Sequence, residues 1–171
     1  MDEFLGLLTI LVFLPAAGAL LIASVIKGDR EIRYFAVVVA VVEMVLSAIV
    51  FVLYETGGER VQLVDRVRNW IPVESFNVQY YLGIDGLSAP LVLLTGILGM
   101  VAVLASYGIK HKVRAYFVFL LILQTAVMGV FTALDFILFF LFWELELIPM
   151  FFLISIWGTG RKEYSAMKFL I

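Results

Sequence analysis

Five stretches of this chain carry almost no charge, and each is long enough to cross a bilayer: Phe4 to Ile26, Tyr34 to Tyr54, Leu87 to Tyr107, Ala115 to Ala133 and Phe136 to Trp157. A helix of roughly 20 residues spans the ~30 Å hydrocarbon layer. In lipid every backbone N–H and C=O must be satisfied inside the segment or in a closed barrel, and these runs lack a barrel's alternation. The expected fold is therefore an all-α polytopic membrane protein with five complete transmembrane helices. With 64% apolar and only 15% charged residues, the chain sits far from a water-soluble domain, where about a quarter are charged. The first run could be mistaken for a cleaved leader because LPAAGA offers small residues. Met1, Asp2 and Glu3 supply no positive start, however, and the run is too long, so a retained helix is expected.

The connections set an orientation. Lys27, Arg30 and Arg33 follow the first run, Lys110, Lys112 and Arg114 the third, and Arg161 and Lys162 the fifth. The opposite side holds only Arg60, Arg66 and Arg68, all in the second connection. The positive-inside rule then places the N-terminus outside the cytoplasm, in a cell membrane or an equivalent energy-transducing membrane. The second connection, residues 55–86, is the one sizeable extracytoplasmic loop. Phe76, Val78, Tyr80 and Leu82 alternate in it as a half-buried strand would, with Val61 to Trp70 as partner and Pro72 in the turn. After Tyr164 a sixth apolar segment opens, YSAMKFLI, too short to span; the expectation is one membrane domain, 1–171, that is the leading piece of a longer protein.

Composition also excludes chemistries. There is no cysteine, so no thiolate metal site, iron–sulfur ligation or disulfide, and His111 is the lone histidine. No basic patch suggests nucleic acid, and no glycine-rich phosphate loop suggests a nucleotide. No cofactor and no metal is expected on this chain.

The informative charges are the four at membrane depth: Glu43 in the second run, Glu144 and Glu146 in the fifth, and Lys168 in the sixth segment. Charged groups at the bilayer centre cost roughly 2.5–3.5 kcal/mol on insertion scales and usually face a protein interior or a water path. Glu144 and Glu146 stand about 200° apart on a helix, which argues against a chelating pair and for two separate contacts. Pro149 removes the N–H that would bond the Leu145 carbonyl between them. A buried Glu and Lys can exchange protons as their separation changes, which makes these residues candidates for an ion path. The competing reading is that they only tie helices together; for Glu43 the two readings balance, and for Glu144 the path is favoured. Gln124 and Thr125 are expected to hydrogen-bond a neighbouring helix, and Asp85 and Asp135 to cap helix starts. The phenylalanines of the fifth run and Trp143 are expected to pack, and Trp157 to anchor at the interface.

The segment FLFWELELIPMFFLISIWG, followed by RKEYSAMKFLI, resembles the proton-translocating membrane subunit M, or chain 4, of NADH:quinone oxidoreductase, respiratory complex I. YYLGIDGLSAPLVLLT resembles the same family at the start of its third helix. The WELELIP form is similar to that of bacterial and plastid members. The resemblance implies a longer protein with inverted five-helix repeats, of which this chain holds the leading helices and the opening of the first repeat. It implies that Glu144 matches the family's proton-transferring glutamate, paired with a lysine on a later helix, and that Lys168 matches a lysine that opens helix 6, a candidate proton relay. Glu146 and Glu43 match no family residue of assigned role. It further implies a translocase subunit in which NADH, flavin, iron–sulfur clusters and quinone sit in partner subunits, and, because the later lysines and second-repeat acid of the family's proton path would lie beyond Ile171, that this chain alone is not active. Its partners would be other membrane subunits and the lipid bilayer. Subunits of cation/proton antiporters and membrane-bound hydrogenases are the alternative, and a non-catalytic membrane scaffold is a further one.

Overall fold

The structure, a computed structural model, describes residues 6–73, 76–160 and 162–170. Helices α1 (Leu7–Ser24) and α2 (Asp29–Leu53) come first, then strands β1 (Gln62–Val73) and β2 (Phe76–Ile84). Helices α3 (Ser88–Ala105), α4 (Val113–Thr132), α5 (Phe136–Trp157) and α6 (Lys162–Leu170) follow, with a 3₁₀ turn at Ser106–Gly108 closing α3. Five of the helices, α1 to α5, have the length and apolarity to cross a membrane. The start of the first run, before Gly6, lies outside the described residues.

Helix α2 begins five residues before its apolar run, at Asp29 instead of Tyr34. Asp29 and Glu31 lie in its first turn, where negative charge suits the helix dipole, so the helix continues beyond its hydrocarbon-length segment. α5 runs unbroken through Pro149. Pro90 is harmless in the first turn of α3, where backbone N–H groups have no partner within the helix.

Helices α1 to α4 form an up-and-down bundle. At one end Arg33 of α2 donates to the Ile109 carbonyl just past α3 (2.8 Å), and Arg114 of α4 donates to the Ile26 carbonyl just past α1 (3.1 Å). At the other end Gly86, before α3, lies against the Tyr54 ring that follows α2. α2 and α4 therefore run parallel, and α1 and α3 run against them. Gly18 of α1 marks a close crossing: a side chain there would meet Val39 of α2 at 3.0 Å and Leu121 of α4 at 3.5 Å. One core lies toward the Arg33 end around Ile22, Ala36, Phe117 and Leu121; the other lies toward the hairpin around Leu11, Val50, Val92 and Met128.

The hairpin is antiparallel, with Gln62 opposite Ile84 and Val73 opposite Phe76. Pro72 lies within β1 opposite Asn77, not in the turn. A two-stranded sheet is all edge, and an edge strand tolerates proline when its missing N–H points outward. Val78, Tyr80 and Leu82 are buried against the bundle, whereas the Phe76 side chain is outside the described residues.

Candidate functional site

The hairpin fixes where α5 starts. Leu134 N–H donates to the Tyr81 carbonyl at 2.9 Å, and Ala133 bridges Leu82. Asp135 is the N-cap, its Oδ1 accepting from Ile137 N–H (2.9 Å) and Leu138 N–H (3.1 Å) while Oδ2 accepts from Gln79 N–H on β2 (3.3 Å). Such a cap satisfies two of the four orphan donors at a helix start. From there α5 runs back along α4. The Phe142 ring occupies the space a side chain on Gly129 would need, Phe119 stacks on Phe152 at 4.8 Å, and Trp157 Nε1 donates to the His111 carbonyl at 2.7 Å.

Those contacts set the register. Counting from the Gly129–Phe142 and Phe119–Phe152 pairs puts Glu144 level with Val127 and Glu146 level with Thr125, near mid-helix. The two carboxylates point to different surroundings, as their spacing requires. Leu138, Phe142 and Pro149 form the buried face of α5. Glu146 is partly buried beside that face. Glu144 is exposed, in a stripe with Phe140 and Ile148 one turn to either side. Trp143, expected to pack, is half exposed on this open side and leans on Phe139 at 5.8 Å between ring centres. The cause is that α5 lies on the flank of the bundle, packed along α4 and against the short α6, which leaves its Glu144 side uncovered among the described residues.

Lys168 is exposed on α6, its ammonium 5.8 Å from the centre of the Tyr164 ring. Glu43, by contrast, is wholly buried among α1 to α4, and neither of its oxygens has a hydrogen-bond partner among the described residues. Gln124 and Thr125 are buried too, and neither side chain bonds a neighbouring helix as expected. The Gln124 amide is instead packed into the space left by Gly99 of α3. The structure thus separates the sequence candidates into Glu43 inside the bundle and Glu144 outside it. No cluster of three or more His, Cys, Asp or Glu residues suited to a metal occurs among the described residues.

One buried acid that fastens the hairpin to the bundle escaped the sequence. Asp65 of β1 is buried, and its Oδ2 accepts from both the backbone N–H and the hydroxyl of Thr9 at 2.8 Å, capping α1 from a distant strand. The Tyr80 hydroxyl donates to Thr9 Oγ1 at 2.9 Å. Burial, and then the Asp65 charge, push the Tyr80 hydroxyl above its usual range against the opposing pull of that hydrogen bond. The only sequence signal was a lone Asp in a strand-like stretch, which is weak. Asp85 does cap α3 as expected, accepting from Leu87 N–H (3.0 Å) and Ser88 N–H (2.7 Å).

Comparison with known proteins supplies the context. Residues 7–132 match the family model described as NADH-ubiquinone oxidoreductase chain 4, amino terminus. Residues 133–171 match the model NADH:quinone oxidoreductase/Mrp antiporter, TM. The chain is 42% identical over 168 residues to an NAD(P)H-quinone oxidoreductase chain 4 of Thermosynechococcus vestitus, covering 96% of this chain and 31% of that protein. It is 35% identical to the chloroplastic chain 4 of Chaetosphaeridium globosum, covering 96% and 32%. The chain thus spans about a third of the length of these relatives. Among solved structures, a chain of respiratory complex I from Thermus thermophilus superposes with a TM-score of 0.77 at 21% identity, covering 95% of this chain and 32% of that one. A chain of the membrane-bound sulfane sulfur reductase, an archaeal respiratory membrane complex, does so with a TM-score of 0.77 at 20% identity, covering 95% and 33%.

Proposed function

The chain belongs to the NADH-ubiquinone oxidoreductase chain 4 family, and on that premise we propose that it is the leading part of a membrane subunit that couples quinone reduction to proton translocation. The observation that carries this reading is Glu144: a carboxyl at mid-membrane depth, in the centre of the exposed stripe of α5, on a helix whose register is locked to α4. A charge at that depth facing lipid is costly, so the stripe calls for a protein partner. We assign that role to later helices of a full-length protein of the relatives' size, with a cation opposite Glu144. Proton transfer then follows from changes in the separation of that pair, because each partner's charge favours the ionised form of the other. Lys168, on the helix after α5, is the next proton-relay candidate, and Glu146 lies at the edge of the α4–α5 contact. Electron transfer and its cofactors belong to partner subunits.

The test is Glu144→Gln in the full-length protein within its complex. Proton pumping during quinone reduction should fall at least tenfold while the complex still assembles; undiminished pumping would sink the proposal. For topology, the proposal keeps the N-terminus outside the cytoplasm. A reporter fused after Lys112 should be cytoplasmic, and an external reporter reverses the assignment.

A further inference from the structure

Among the described residues Glu43 is the one ionisable side chain in the middle of the α1–α4 bundle, and its surroundings are specific. Its relative exposure is 0%, that of Thr125 is 1% and that of Gln124 is 6%. All five of their side-chain polar atoms, Glu43 Oε1 and Oε2, Gln124 Oε1 and Nε2, and Thr125 Oγ1, lack a hydrogen-bond partner. Buried polar groups left in this state cost roughly 1–3 kcal/mol each, and native structures keep few of them.

The three groups share one place. Gly18 touches both Val39 and Leu121, so those residues lie at one depth on the parallel helices α2 and α4. One turn further along each helix, on nearly the same face, stand Glu43 and Thr125, with Gln124 beside the latter. A second route gives the same answer. On α3, Gly96 meets Ser47 and Gly99 meets Gln124, and Ser47 lies one turn from Glu43 on α2. Ser47 itself is satisfied, donating to the Met44 carbonyl at 2.8 Å. The packed helices bring no counter-charge: α1 and α3 carry no charged residue along their lengths, and the only charge on α4 is Arg114, about three turns before Thr125. Tyr116 of α4, further toward that end, is bonded to Ser106. On α2 itself the charges Asp29, Arg30, Glu31 and Arg33 sit in the first turns.

We infer that Glu43, Gln124 and Thr125 form an internal water site in which the Glu43 carboxyl binds and releases a proton. An acid without a cation must be neutral or hydrated to be tolerated there. The set supplies donors and acceptors in the number that a buried water needs, two to four, and the groups lie at one level without reaching each other directly. In the exchange, the Glu43 O–H bond breaks as a site water takes the proton on its oxygen, and the carboxylate left behind is held through site water to which the Gln124 amide and the Thr125 hydroxyl are bonded. The reverse step restores the acid. Gly99 makes the site possible, since a side chain there would collide with the Gln124 amide. This site does not depend on the role given to Glu144.

Infrared difference spectra of the full-length protein in its complex, wild type against Glu43→Gln, in H₂O and in D₂O, test the inference. A carboxylic C=O band should vanish in E43Q, and in the wild type it should shift on transfer to D₂O. If E43Q removes no acid band, or removes one that D₂O leaves unshifted, the inference fails. Gln124→Leu and Thr125→Val, with Glu43 intact, give a second reading should E43Q not assemble. At least one of them should displace the same band, and an unmoved band in both overturns the site.

Discussion

Glu43 and Glu144 lie within about one turn of each other in depth, yet the protein treats them in opposite ways. The first is sealed inside four helices with no cation near it among the described residues, and the second stands in the open stripe of a helix on the flank of the bundle. A residue type and a depth therefore do not define a role in a membrane protein; the neighbours do. The interior acid must be accommodated by hydrogen-bonding groups already in place, whereas the exposed acid depends on something brought to it.

The contrast breaks most completely if α5 loses its seat on α4. Gly129→Val puts a branched side chain where the Phe142 ring lies, and overpacking of this kind costs about 1–3 kcal/mol or more. We expect strongly reduced recovery of the assembled complex, together with loss of any Glu144-dependent pumping. Gly108→Ala, a position with nothing within 4 Å, is the control and should behave as wild type. Equal recovery of both variants would show that the α4–α5 register is not what holds Glu144.

Leucine at each acid sharpens the same comparison. Glu43→Leu strips the carboxyl from the water site and strands the buried Gln124 and Thr125 groups, and should lower the thermal stability of the assembled protein by about 1–3 kcal/mol. Glu144→Leu should leave bundle stability within ~0.5 kcal/mol and act on transport alone. A stability loss at Glu43 of the size seen when a buried ion pair is broken would instead reveal a partner for it.

Much of this was legible in the residues, and the exceptions have physical causes. The helices could be read because lipid leaves the backbone no other option, and Asp135 and Asp85 could be read as caps because they precede apolar runs. Depth within a helix was also readable, since it follows from counting. What could not be read was the partner of each polar group. Gln124 and Thr125 look like any interhelical hydrogen-bonding pair until the Gly18 crossing sets the register of α2 against α4. Asp65 was invisible for a different reason. β1 shifts register between Gln62 and Asp65, where Leu63 takes a φ of 53°, and a bulge of this kind re-aims the following side chains. Period-two reading of the strand fails at such a point.

Caps at the hairpin end offer a smaller perturbation on either side of the comparison. Asp65→Ala strips the remote cap from α1 inside the bundle, and Asp135→Ala strips the local cap from α5 outside it. Each should cost about 1 kcal/mol. The pumping proposed for Glu144 should follow the second variant and not the first, because Asp135 both caps α5 and accepts from Gln79 of β2, beside the Leu134 and Ala133 contacts to that strand, whereas Asp65 caps α1. The measurement is the pumping-to-turnover ratio of the two variants; equal ratios would mean that the start of α5 does not govern the setting of its glutamate.

The smallest expected effect is at Asp85, whose carboxyl lies near the surface at the start of α3. The Ser88 N–H, opposed by slight desolvation and helped by the Ser88 hydroxyl, the Leu87 N–H and the charge of Arg60, holds it below the usual carboxylate range. Because its folded value is depressed, its contribution to stability is complete above the unfolded value near pH ~4 and disappears as pH falls through the lower folded value. Solvent screens so exposed a group, so the contribution is modest. Thermal unfolding of wild type and Asp85→Asn should therefore differ at neutral pH and converge in acid. Parallel curves would show that the Asp85 charge adds nothing to the cap.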